Sequence, residues 1–205
     1  MSISALQKNW RQKYDCVPQQ LEKVKKVHSV ATAFNTNIDA VLKISGKRLS
    51  ELIETVNLSE EEFSNSRTLL ETPQDVVHGI AKCFSRGIAE EWICDDKVVY
   101  EWMQQNLGYN RLQMGGQGGI VANALAVLGV QNVFVHTNSH PKLQAQQFLP
   151  LDNLFGIDEN DKACRACDID RAAETPLVHW IIEFDIGDSF MAWGKEFICP
   201  KSNRF

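Results

Sequence analysis

Three polar side chains, Asn35, Asn37 and Asp39, follow directly on Val27 to Phe34, a short β-rich run without charged residues. Side chains two positions apart on an extended backbone point the same way. A carboxylate and two amides converging at the carboxyl end of a buried strand suit the holding of sugar hydroxyls, because each group accepts or donates in a fixed direction. An Asx turn that merely ends the strand accounts for the same residues.

A second candidate is Gly115-Gly-Gln-Gly-Gly119, which opens a helix whose first amides are expected to be unpaired and electropositive, favouring an anion or a hydroxyl lone pair. The glycines do not spell GxGxxG, since Val121 stands at the last position and no acidic residue follows about twenty residues on, which argues against a dinucleotide site. Close packing of helix on strand is the alternative account of the run. His179 and Glu183 lie four apart on one face of an otherwise apolar strand, so that face carries polar groups in need of partners. Glu90 and Glu91 read from spacing as a solvated helix end, and His136 and His140 as loop histidines. Cys164-Arg-Ala-Cys167 has the spacing of half a zinc or redox site, but no second CxxC completes it. No metal site is therefore expected, and six cysteines in 205 residues read as free thiols of a reducing cytoplasm.

The elements that must position these groups can be read in outline. The first 26 residues read as a polar helical hairpin or a pair of short helices, broken at Val17-Pro18. Thr72 as N-cap, Pro73 and Asp75 start a helix whose inward stripe is Val76, Val77, Ile80, Ala81 and Phe84. A further helix after Asp95 or Asp96 turns Val98, Val99, Trp102, Met103 and Leu107 inward and stops at Gly108. Arg111 to Met114, the glycine loop, a helix with Ile120, Val121, Ala124, Leu125 and Leu128 inward, and a strand from Val133 to His136 spell a βαβ unit. A helix over 142–148 and a strand over 153–157 follow. Val178 to Phe184 and Phe190 to Cys199 read as two strands of one antiparallel hairpin. The chain then stops at Asn203-Arg-Phe205 with no closing element, as expected of a fold that continues.

Composition bounds the function. With 44% hydrophobic residues and 12 glycines the chain is globular, and 21 Lys and Arg against 26 Asp and Glu give a charge of −5 with no basic run, which disfavours nucleic acid as a partner. Neither a signal peptide nor a membrane span is expected.

Taken together, Phe34-Asn-Thr-Asn-Ile-Asp39, Gly87-Ile-Ala-Glu90, Met114-Gly-Gly-Gln-Gly-Gly119 with Ala122-Asn123, His179 through Glu183-Phe184, and Asn203-Arg-Phe205 resemble the archaeal ADP-dependent glucokinase and phosphofructokinase family of the ribokinase-like superfamily. The resemblance implies an α/β fold: a large domain with a ribokinase-like parallel sheet and helices, plus a smaller α/β lid. It implies conversion of ADP and a hexose or hexose phosphate to AMP and the phosphorylated sugar, with Mg²⁺ neutralising the phosphates. It places Asn37, Asp39, Gly115, Gly116, Gln117 and His179 around the sugar. Glu90 falls at a position associated with glucose rather than fructose 6-phosphate, and Arg204 at one facing the transferring phosphoryl group, where a cation is physically required.

Family members are much longer than this chain, and their catalytic aspartate lies in a GxGD motif that the sequence lacks; Gly187-Asp188 has no preceding glycine. The nucleotide and magnesium sites likewise belong to the family's C-terminal half. The expected architecture is therefore an incomplete large domain, residues 1–36 and 114–177, with a lid of residues 37–113 and 178–205 that excludes water when it closes. A non-catalytic sugar-binding module, or one half of a split kinase, is the alternative.

Overall fold

The computed structural model of the chain describes residues 3–65 and 68–205. Helices α1 (Ile3–Asp15) and α2 (Val17–Val24) are separated at Cys16, and not at Val17-Pro18 as expected: Pro18 sits in the first turn of α2, where its missing N–H leaves no helix bond unmade. Strands β1 (Ser29–Thr32) and β2 (Asn37–Lys43) flank the polar run. Three capped helices follow: α3 (Gly46–Thr55) under Ser45, α4 (Glu60–Ser64) under the Ser59/Glu62 capping box, and α5 (Pro73–Arg86). In α5 the Thr72 hydroxyl accepts from the Asp75 amide at 3.2 Å while Asp75 accepts from the Thr72 amide at 2.8 Å, and Gly87 ends the helix at φ 61°. Next come α6 (Lys97–Asn106) capped by Asp96, β3 (Arg111–Gly115), α7 (Gln117–Val127), β4 (Asn132–Val135), α8 (Lys142–Ala145), β5 (Leu154–Ile157) and β6 (Ala163–Arg165). The chain finishes with β7 (Val178–Phe184), β8 (Ser189–Ala192), β9 (Lys195–Ile198) and β10 (Asn203–Arg204). No described helix is long and apolar enough to cross a membrane.

The chain folds as two compact units: Met1–Ile38 with Met114–Val178, and Asp39–Gln113 with His179–Phe205. In the first, a sheet of order β1-β4-β5-β6 has β1, β4 and β5 parallel and β6 antiparallel. The second sheet has the order β10-β7-β2-β3, and β8 with β9 forms a separate hairpin.

Two expected pairings are corrected here. Arg111 to Met114 does not begin a βαβ unit, because β3 joins the second sheet; the parallel partner of β4 is β1, far upstream, with α7 as the crossover helix. Nor does 178–184 pair with 190–199. The latter run is itself the hairpin, turning at Trp193 (φ 52°) and Gly194 (φ 73°), and β7 pairs instead with β10, Glu183 opposite Arg204. A two-residue turn with both φ values positive matches the strand twist, and the sequence Trp-Gly does not advertise it.

In the second unit α5 is central. Val76, Val77, Ile80, Ala81 and Phe84 are all fully buried, as their spacing predicts, with the Phe84 ring 5.5 Å from Phe184 and 5.6 Å from Phe190. Around α6, Val99, Met103 and Leu107 are buried and Trp102 packs against the core, as the spacing predicts, but Val98, in the first turn next to the Asp96 cap, is exposed. Helix α7 departs more. Its buried residues are Gly118, Gly119, Ala122 and Ala126, whereas Ile120, Val121, Ala124 and Leu128 are exposed and Leu125 lies between. A helix apolar all round gives no periodicity to read, and only its small residues permit the close approach seen.

His140 is also not the surface residue its loop position suggests. It is fully buried, its Nε2 donating to the Ala166 carbonyl at 2.8 Å and its Nδ1 accepting from the Thr137 hydroxyl at 3.0 Å. Burial holds its pKa below the ordinary value, outweighing the Ala166 carbonyl, which favours the charged form. The unfolded chain then binds a proton near pH 6.5 that the folded chain refuses, so the His140 contribution is complete above about pH 6.5 and is lost on acidification below it. The slope cannot exceed about 1.4 kcal/mol per pH unit for one group. Urea midpoints measured across this range should fall with pH, and His140→Gln should flatten the dependence; an unchanged profile would reject the assignment.

Candidate functional site

Alternation along β2 decides what its polar residues can reach. Thr36, Ile38 and Ala40 are buried, which leaves Asn37 and Asp39 on the opposite face, half-buried. Strand β7 is the neighbour of β2 in the sheet, and its second residue, His179, comes beside Asp39. His179 Nδ1 lies 3.5 Å from Asp39 Oδ1, and its Nε2 lies 3.7 Å from Glu91 Oε1. The side chains are 50%, 14% and 83% exposed for His179, Asp39 and Glu91. Asp39 is thus a sheltered acceptor beside an accessible imidazole that can donate or accept, an arrangement able to fix hydroxyl groups.

The two consecutive glutamates have different surroundings. Glu90 Oε2 accepts from Lys82 Nζ and from Trp92 Nε1, both at 2.8 Å, and the Lys82 ammonium sits 5.3 Å from the centre of the Trp92 ring. Burial alone would raise the Glu90 pKa, but the Lys82 and Trp92 hydrogen bonds and the Lys82 and Arg86 charges together lower it. Glu90 is therefore an ionised group with internal partners, anchored on α5. Glu91 is the carboxylate brought to His179, which an acidic pair read by spacing alone does not reveal.

The same local chemistry explains nearby Cys83, whose thiol is pushed up to about 12, mainly by burial and then by the Glu90 charge. It is a packing residue and not a nucleophile. Arg204 on β10 is exposed and lies opposite Glu183, so it shares the strand face that carries Glu183 and His179.

In the other unit, Gly115 ends β3, Gly116 caps α7 at φ 72° and Gln117 begins the helix with its side chain exposed. The helix amides are less available than expected, because the Gly118 amide donates to the Asn35 carbonyl at 2.7 Å. A Cβ on Gly116 would stand 2.5 Å from that carbonyl oxygen, and one on Gly118 2.8 Å from it. Close approach of the 33–36 segment thus accounts for these two glycines. Beside them Phe34 is 85% exposed at φ 77°, a left-handed conformation that costs an aromatic residue about 1–3 kcal/mol and that sequence alone does not announce. Among the described residues no group of three His, Cys, Asp or Glu side chains could hold a metal ion.

Comparison with known proteins bears on this geometry. Residues 28–205 match the family model described as the ADP-specific phosphofructokinase/glucokinase conserved region. The chain is 30% identical over 197 residues to an ADP-specific phosphofructokinase of Thermococcus kodakarensis, covering 92% of this chain and 42% of that protein. It is 33% identical over 202 residues to an ADP-dependent glucose/glucosamine kinase of Pyrococcus furiosus, covering 96% and 43%. Among solved structures, the last common ancestor of ADP-dependent phosphofructokinases from Methanosarcinales superposes with a TM-score of 0.76 at 30% identity, covering 100% of this chain and 42% of that one. The chain thus spans about two fifths of the length of the curated relatives it matches.

Proposed function

Because this chain belongs to the ADP-specific phosphofructokinase/glucokinase family and has the ribokinase-like α/β fold, we propose that it is the N-terminal, sugar-binding part of an ADP-dependent hexose kinase. The complete enzyme would convert ADP and glucose or fructose 6-phosphate to AMP and the phosphorylated sugar. The observation that carries the proposal is the open Asp39–His179 pair, formed by residues that the family resemblance assigns to the sugar. Asp39 accepts from a sugar hydroxyl and holds it in one direction, while His179 donates to or accepts from a neighbouring one. Asn37, Gly115, Gly116 and Gln117 are further sugar ligands by the same resemblance, and Arg204 supplies a cation for the transferring phosphoryl group.

Phosphoryl transfer also needs an acceptor for the hydroxyl proton and a metal-bound nucleotide. The chain has no GxGD aspartate, and its described residues offer no cluster suited to Mg²⁺. Magnesium and ADP are therefore assigned to polypeptide outside these residues, and no step is derived through them. The 205-residue chain should accordingly bind sugar and produce no AMP.

Glu90 and Glu91 decide which sugar. If Glu90 meets a hydroxyl that glucose presents and fructose 6-phosphate does not, Glu90→Ala should weaken glucose selectively. The placement of Glu91 beside His179 makes Glu91→Ala the necessary counterpart. Calorimetric titration of the chain and both variants with each sugar tests the reading. Saturable binding with a selective glucose defect at one glutamate supports it, and the affected position identifies the residue. Binding of neither sugar by the unmutated chain overturns the proposal.

A further inference from the structure

Among the described residues, Phe34, Asn57, Asp161 and Trp193 have a positive φ without being glycine, and three of them have a local reason for it. Asn57 and Asp161 are residue types that tolerate the left-handed region. Trp193 takes the hairpin turn and is half-buried, its Nε1 donating to the Leu58 carbonyl at 3.0 Å and its ring 5.0 Å from Phe63. Phe34 closes no hairpin, since β1 and β2 belong to different sheets, and it is the most exposed of the large apolar side chains described. The strained backbone therefore presents an aromatic ring to solvent.

This conformation is held from two sides. The Gly118 amide donates to the Asn35 carbonyl at 2.7 Å, and the Thr36 hydroxyl donates to the His136 carbonyl at 3.1 Å. Strained residues persist where their surroundings fix them, and they gather at ligand sites. The location is also that of a ligand site. Phe34 follows β1 and His136 follows β4, which are neighbouring parallel strands, and in α/β sheets ligands bind beyond the carboxyl ends of the strands. The two rings are 6.2 Å apart and inclined at 50°, so the imidazole stands beside the phenyl ring and leaves its face open. Asn35, His136 and Gln117, the first residue of the helix whose Gly118 amide engages Asn35, are all exposed.

We infer that Phe34 is a further sugar-binding residue, its ring the platform on which the apolar face of the hexose rests, with Asn35, His136 and Gln117 available to the hydroxyls. A hexose presents C–H groups that are apolar and weakly positive, and these match the negative face of an aromatic ring. An adenine base would stack on the same ring. The hexose is favoured because Gly116 and Gln117, which the family resemblance places around the sugar, stand against the same segment: a Cβ on Gly116 would lie 2.5 Å from the Asn35 carbonyl oxygen. The inference rests on the sugar-binding reading above and extends it to a residue that the resemblance leaves without a role.

The test compares the 205-residue chain with its Phe34→Gly, Phe34→Asn and Phe34→Tyr variants. Glycine and asparagine accept a positive φ and carry no ring. Each should weaken the binding of glucose or fructose 6-phosphate about tenfold in calorimetric titration. Each should also raise the urea midpoint, because strain is relieved and an exposed ring takes little packing with it. Phe34→Tyr should retain the affinity of the unmutated chain. Saturation-transfer NMR, with sugar saturating each sample, gives a signature that a purely structural role would not move: transfer from aromatic protons to the sugar C–H protons, strong in the unmutated chain and Phe34→Tyr, lost in the other two. Unchanged hexose affinity in Phe34→Gly and Phe34→Asn overturns the inference, as does a lowered urea midpoint in both, which would make the ring a packing residue. Loss of AMP or ADP binding with hexose binding intact gives the ring to a nucleobase and also overturns it. Asp39→Ala separates the platform from the reading beneath it. A loss at Phe34 with none at Asp39 keeps the platform and rejects the Asp39 site, the reverse rejects the platform alone, and no hexose binding by the unmutated chain rejects both.

Discussion

Asp39→Ala is expected to weaken hexose binding about tenfold or more, the loss of one charged hydrogen bond worth roughly 1.5–3 kcal/mol, while leaving the unfolding transition close to that of the unmutated chain. Asp188→Ala is expected to do the reverse. Its Oδ2 accepts from the Gly46 amide at 2.8 Å, and its backbone carbonyl accepts from Cys199 at 2.8 Å, so Asp188 ties the start of α3 to the strand β8 that follows it. Removing the carboxylate orphans an amide in the first turn of a helix, which costs about 1–2 kcal/mol. Asp39 by contrast stands on the accessible face of β2 as an acceptor with the His179 ring 3.5 Å away. Calorimetric titration with glucose and fructose 6-phosphate, paired with urea denaturation of the same samples, separates the two. Equal losses of affinity in both variants would undo the assignment of Asp39 as a ligand.

Gly46→Ala should destabilise the second unit by about 3 kcal/mol or more, the upper range for overpacking a core. The new Cβ would stand 1.8 Å from the Ser189 carbonyl oxygen and 2.3 Å from its carbon, and both atoms are backbone, unable to rotate aside. Relief requires α3 to withdraw from β8, whose Phe190 is fully buried against Phe84. Gly194→Ala supplies the comparison: nothing lies within 4 Å of its Cβ position, and only the cost of a positive φ, about 1 kcal/mol, is incurred. Chemical denaturation of the two variants should therefore rank Gly46 well above Gly194. Equal effects would mean that backbone conformation and not contact distance governs both sites.

What the sequence by itself determined were features whose causes lie within a few residues. Thr72, Pro73, Asp75 and Gly87 fix both ends of α5 by local hydrogen bonding and backbone conformation, and the spacing of Val76, Val77, Ile80, Ala81 and Phe84 fixes its buried face, because one helix has one periodicity. The alternation that puts Asn37 and Asp39 on one face of β2 is of the same kind. Strand pairing was decided only by the tertiary structure, since each strand's apolar pattern is compatible with several neighbours: β3 goes to the second sheet, β4 to β1, and β7 to β10. The orientation of α7 was equally hidden, because uniform hydrophobicity erases the phase and the choice falls to the small residues that let the backbone approach the sheet. Burial of His140 and the separation of Glu90 from Glu91 depend on partners distant in the chain or on another element: Ala166 for the first, and Lys82 against His179 for the adjacent glutamates. Spacing could present two adjacent carboxylates; only the fold could give one a lysine and the other the histidine.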